Sequence, residues 1–93
     1  MRFSESEARE VAEQLRRLLR LVADGLTAFD VESVASLIDA GEYIVGLETL
    51  CTQMYEYDVE VELHDHNELL QLGIRLGVPA AYLLGDPWAE SPG

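Results

Sequence analysis

The sequence predicts an all-α fold: a compact single-domain bundle of four to five helices with an extended connector near residues 58–63. Three observations predict it. Apolar side chains recur at i, i+3 and i+4 through four stretches, the spacing that gathers them on one face of a helix. Those stretches open near residues able to cap a helix, and three of them close at or beside a glycine. Only one short segment alternates apolar and polar residues, the pattern of a strand.

The first helix is the best marked. Ser4 is placed to cap it and Glu7 follows three residues on, a capping box, with Phe3 ahead of the cap able to staple onto Ala8. Ala8, Val11, Ala12, Leu15, Leu18, Leu19 and Val22 form its apolar stripe, and Arg9, Glu13, Arg16 and Arg20 the opposite face. Glu5 with Arg9, and Glu13 with Arg17, are favourably oriented i, i+4 pairs. The helix should end near Asp24-Gly25.

A second helix is expected to start with Asp30 as its cap, to bury Val34, Leu37 and Ile38 with Val31 at the edge, and to stop at a left-handed Gly41. A third spans about Glu42 to Tyr57, with Tyr43, Ile44, Leu47, Leu50, Cys51 and Met54 facing inward. Glu48, Thr52 and Glu56 fall on its far side, four residues apart, flanked by Tyr55.

The alternating segment follows, Asp58-Val59-Glu60-Val61-Glu62-Leu63. Nothing in the sequence offers it a pairing partner, so it reads as an extended connector packing Val59, Val61 and Leu63 inward; the alternation also admits a short strand. A fourth helix is expected to open on a capping box of Asp65 and Glu68, to bury Leu69, Leu72 and Leu76, and to end at Gly77. Pro79 suits the first turn of a short fifth helix, Ala80 to Leu84, closed by Gly85. The domain should cover residues 1–85, and residues 86–93 should form a loose tail whose Trp88 can fold back onto the body.

Charge narrows the function. The chain carries 18 acidic residues against 6 basic ones, a formal net charge of −12, and has no lysine. Five of the six arginines lie in the first twenty residues, and from Leu21 to Ile74 there are twelve acids and no basic side chain besides histidine. Such a field repels nucleic acid and anionic lipid, and it speeds capture of a basic protein. No segment reaches the roughly 18–20 apolar residues that a membrane helix needs. The acidic first turns do not resemble a secretory leader, and a single cysteine, Cys51, allows no internal disulfide. Together these lead to the expectation of a cytoplasmic protein without membrane or nucleic-acid partners.

Catalytic and metal chemistry find little support. His64, Asp65 and His66 are clustered, but the histidines are two residues apart, Cys51 belongs to the buried stripe, and no zinc-ligand spacing is present. His64 reads instead as a staple residue and His66 as an exposed first-turn residue. The one thiol is expected to be buried, and no serine stands at a suggestive spacing from a histidine. No glycine loop suits a phosphate. The expectation is a protein that is not an enzyme and needs no cofactor or metal. The run Leu72 to Gly85 is similar to the end of Cro-type helix-turn-helix repressors, but the basic reading helix is missing ahead of it.

The remaining candidate is the acidic stretch. Acids there supply on-rate and orientation, and tyrosines supply rigid contact area. The residues expected to meet a partner are Glu48, Thr52, Tyr55, Glu56, Asp58, Glu60 and Glu62. A merely solvated face would carry the same residue types.

The same stretch carries a resemblance. Leu37-Ile38-Asp39-Ala40-Gly41-Glu42-Tyr43, followed by Gly46-Leu47-Glu48-Thr49-Leu50-Cys51-Thr52-Gln53-Met54-Tyr55-Glu56-Tyr57-Asp58, resembles the central signature of the MafI family of immunity proteins. That signature joins a Gly-Glu turn to a small–Leu–Glu–x–Leu helix and an acidic connector. The layout is similar from about residue 15 to residue 84, except that Gly46 stands where alanine is expected. The resemblance implies a function: binding a cognate, basic toxin domain of nuclease type and holding it inactive by stoichiometric steric and electrostatic occlusion. A generic acidic helical adaptor is the alternative, and a small helix-turn-helix-like regulator a more remote one. The sequence admits a homo-oligomer but does not indicate one.

Overall fold

Residues 3–86 are described by a computed structural model, which arranges them as α1 (Glu5–Val22), α2 (Ala28–Asp39), α3 (Tyr43–Glu56), α4 (Leu63–Leu76) and α5 (Ala80–Leu83), with one turn of 3₁₀ helix at Ala23–Gly25. The all-α class is as the sequence predicts, and no strand occurs among the described residues. The expected tail beyond Asp86, with Trp88, lies outside them.

One contiguous cluster of buried side chains joins all the helices. α1 supplies its spine through Val11, Ala12, Leu15, Leu18, Leu19 and Val22. α2 and α3 pack on each other and on α1, while α5 lies against α3 and α4. The capping box at Ser4 forms as expected: Glu7 N–H donates to Ser4 Oγ at 3.1 Å, and Ser4 N–H donates to Glu7 Oε1 at 3.2 Å. Phe3 packs beside the ring of Tyr43, with centroids 6.4 Å apart.

The two other expected caps move, each by three residues. α2 is capped by Thr27, not Asp30: Asp30 N–H donates to Thr27 Oγ1 at 3.1 Å, and that hydroxyl donates to Asp30 Oδ2 at 2.8 Å. α4 begins at Leu63 with Glu62 in the cap position, so the Asp65–Glu68 capping box does not form. In both cases the aspartate occupies the third helical position, where an acid also favours the helix dipole.

The earlier start of α4 changes what the connector buries. Val59 and Val61 pack on the core, but Leu63, now in the first helical turn, is 74% exposed. His64 points to solvent and is no staple, whereas His66 is half-buried rather than exposed. Within α3, Ile44 is 40% exposed and Gly46 is buried in its stead, and Leu37 of α2 is only half-buried.

The expected pairs Glu5–Arg9 and Glu13–Arg17 are also absent among the described residues. Arginines reach across to other helices instead: Arg16 to Asp39 at 3.0 Å, Arg75 to Glu10 at 2.8 Å, and Arg17 to Glu68, with Asp65 3.7 Å away. Packing of α1 against its neighbours brings these opposite charges together, and a bridge between helices replaces one along a helix.

Candidate functional site

The seven residues expected at an interface, Glu48, Thr52, Tyr55, Glu56, Asp58, Glu60 and Glu62, are all exposed. Their placement follows from the way α3 ends. Leu47, Leu50, Cys51 and Met54 turn one face of α3 into the core, which leaves Glu48, Thr52 and Glu56 outward. Thr52 Oγ1 donates back to Glu48 O at 2.8 Å, so this hydroxyl is engaged along its own helix. Asp58 then takes a left-handed conformation, φ 53°, and turns the chain into the connector. Asp58 N–H donates to Tyr55 O at 3.2 Å, and Val59 N–H to Met54 O at 2.9 Å, the two bonds of a Schellman motif.

The connector is held down by Val59. A Cβ added to Gly25 would stand 2.8 Å from Val59 Cγ2, so the side chain of Val59 lies directly on the backbone at the end of the 3₁₀ turn. With Val59 and Val61 inward, Asp58, Glu60 and Glu62 are left outward.

Between α3, the connector and the start of α4 runs an open groove of about 520 Å³. Met54, Val59, Val61 and Leu84 give it apolar walls; Tyr55, Asp58, Glu60, Leu63 and His66 also line it. On the other side of Tyr55 a second groove, of about 400 Å³, is lined by Thr52, Tyr82, Leu83, Gly85 and Asp86. Tyr55 is the wall between them. The fold therefore gathers Thr52, Tyr55, Asp58 and Glu60, whereas Glu48, Glu56 and Glu62 line neither groove. Sequence reasoning missed Leu63, His66, Tyr82 and Leu84 as neighbours of Tyr55. The sequence places Leu63 with the interior and Leu84 in the fifth helix, and no spacing along the chain reports that α5 returns to α3.

Among the described residues, Glu48, Glu56, Asp58 and Glu60 have no cationic side chain in ion-pair range. Arg16, Arg17 and Arg75 are engaged on other faces of the molecule. Tyr57, by contrast, has its hydroxyl directed at the Asp30 carboxylate, an interaction that raises the phenol above its ordinary range. Asp30 also accepts from Gln53 Nε2 at 3.0 Å, so it fastens the end of α3 to the start of α2. Tyr55 is the more exposed of the pair, at 63%.

The start of α4 brings Glu62, His64 and Asp65 together, with one potential ligand atom from each within 4.8 Å of the others. His66, the expected third member of that cluster, is replaced by Glu62. Asp65 is buried, and its Oδ1 lies 3.1 Å from His64 Nε2 and 3.7 Å from Arg17 Nη1 without a hydrogen bond. The fixed arginine charge and the positive end of the α4 dipole both oppose a second cation there. The Cys51 thiol is enclosed by the core, and burial pushes it up to about 12, far from nucleophilic thiolate chemistry. No helix among the described residues is long and apolar enough to cross a membrane.

No protein-family model matches this chain, and neither a curated protein nor a solved structure matches it.

Proposed function

We propose that this chain is an immunity-type inhibitor that binds a basic toxin domain through the outer face of α3 and the connector after it, and blocks that domain without turnover. The observation that carries the reading is an unbalanced surface. Six exposed residues, five of them acidic, surround the exposed Tyr55, and none of Glu48, Glu56, Asp58 and Glu60 is neutralised by a described cation of the chain itself. A protein carrying −12 would be expected to spread its arginines among its acids if charge were only a matter of solubility. Here Arg16, Arg17 and Arg75 serve helix-to-helix bridges, Arg9 and Arg20 stay on α1, and the acids of α3 and the connector face outward. A cationic partner relieves that repulsion, and the field guides its approach. The resemblance to MafI-family immunity proteins adds the biological setting, a cytoplasmic protein that protects the cell producing the toxin.

The test is co-expression with basic toxin domains taken from the chain's own genomic neighbourhood. Growth should be rescued, and the purified complex should weaken as salt rises, chiefly through a slower on-rate. The double reversal Glu56→Lys/Glu60→Lys should lower affinity while helicity stays unchanged. Unaltered affinity in that variant would remove this surface from the interface.

A further inference from the structure

We propose that the groove beside Tyr55 is a socket for one apolar side chain carried on an Arg- or Lys-bearing segment of a protein partner. This rests on the reading that the acidic face binds a basic protein, and it names what the groove itself accepts.

The walls and the rim call for different chemistry. Val59, Val61 and Leu84 present apolar surface inside the groove above the buried Met54, and Leu63 leaves an uncovered apolar lip. Covering such surface is favourable only for an apolar group. Asp58 and Glu60 line the same groove with no described cation in range. They favour a positive charge next to that apolar group. Tyr55 serves both: its ring edge extends the apolar wall, and its face can carry a guanidinium or ammonium group. A volume of about 520 Å³ admits a side chain together with part of the backbone that bears it.

Charge also selects among occupants. A second copy would bring a whole-chain charge of another −12; Arg16, Arg17 and Arg75 of that copy would already be in ion pairs, leaving only Arg9 and Arg20 of its described arginines against that excess of acids. Nucleic acid and anionic lipid are repelled in the same way. A fully hydrophilic polycation would satisfy the rim but leave Leu63 and the walls wet. A cationic segment with one apolar anchor satisfies both.

Three labelled synthetic peptides test this by fluorescence anisotropy at low salt: an Arg-rich peptide with a central Leu, the same peptide with Ser for Leu, and the same peptide with Glu for every Arg. The Leu peptide should bind at least about tenfold tighter than the Ser peptide, as expected for covering one leucine-sized side chain. It should shift the backbone NMR signals of Val61, Leu63 and Leu84. Leu63→Asn, an uncharged change at an exposed position, should shrink the Leu-over-Ser advantage. Equal affinity for the Leu and Ser peptides overturns the socket but spares the acidic surface. If neither Arg-rich peptide binds better than the Glu control, the electrostatic reading falls and the socket falls with it.

Discussion

The Cδ1–Cε1 edge of the Tyr55 ring lies so close to the backbone of Gly85 that a Cβ on Gly85 would stand 2.6 Å from Tyr55 Cδ1 and closer still to Cε1. Gly85 also has φ +88°, a conformation that side chains rarely adopt. One contact thus fixes two things: the return of the chain after α5, and the direction of the most exposed tyrosine on the acidic face. A tyrosine held this way loses little rotamer freedom when a partner covers it.

Gly85→Ala should therefore act twice. Left-handed strain at this position should cost about 1–2 kcal/mol of stability, and the added methyl should push the Tyr55 ring off its seat. A urea midpoint will report the first effect. Weaker binding of the Arg-rich Leu peptide, beyond that of a Tyr55→Phe variant, will report the second.

Gly46 offers the opposite case. It is buried inside α3, yet a Cβ there would meet Leu37 Cβ at 3.7 Å and Ile38 Cγ1 at 3.9 Å, ordinary contact distances. The alanine expected at this place by analogy with the MafI signature would fit. Gly46→Ala should raise stability by about 0.5–1 kcal/mol, through helix propensity and a less disordered unfolded chain. Its outward face is untouched, so partner affinity should be unchanged. A lower melting temperature would mean that α2 and α3 sit closer than these distances indicate.

The parts of the fold legible in the sequence were those set by local rules. The stripe of α1 and the box at Ser4 need only the helical period and one cap, and Gly41, Gly77 and Gly85 each take the positive φ that ends a helix. The starts of α2 and α4 differ from the sequence expectation because an aspartate suits both the cap and the third helical position. What decides is the residue three places earlier: Thr27 caps with its hydroxyl, and Glu62 takes the cap position of α4 with no side-chain bond at all. The acids of the candidate site were legible because helical spacing alone sets Glu48, Thr52 and Glu56 outward. The groove was not, because Leu84 reaches Tyr55 only through the packing of α5 on α3, a long-range contact with no mark in spacing.

The bridge from Arg17 to Glu68 predicts a pH dependence of definite sign. The hydrogen bond from Arg17 holds the Glu68 carboxyl below its ordinary value of 4.5, the arginine charge adding to this. A depressed folded value means that stability from this group is fully present above about 4.5 and is lost as pH falls through the folded value. The whole protein follows a mixed course, because protonating other carboxylates relieves the repulsion of a chain at −12. The difference between wild type and Glu68→Gln isolates the bridge. Melting temperatures should differ by a constant amount near neutrality, and the gap should close in acid. A gap that persists well below the carboxylate range would assign the effect of Glu68 to packing instead of charge.

Asp58 supplies the sharpest separation of fold from surface. The turns after α2, α4 and α5 place Gly41, Gly77 and Gly85 at φ 77°, 74° and 88°, whereas the turn after α3 places Asp58 at φ 53°. A left-handed aspartate is tolerated better than most side chains but less well than glycine. Asp58→Gly should thus raise stability by up to about 1 kcal/mol, reduced in part by the greater freedom of glycine in the unfolded chain. Asp58→Asn keeps the same backbone preference and removes only the charge, so its stability should stay near that of wild type. Both variants delete one acid from the rim of the groove, and both should slow association with the Arg-rich Leu peptide at low salt by a similar factor. Equal urea midpoints for the Gly and Asn variants would show that the left-handed turn costs nothing. Unchanged association rates in both would show that this acid guides no cation.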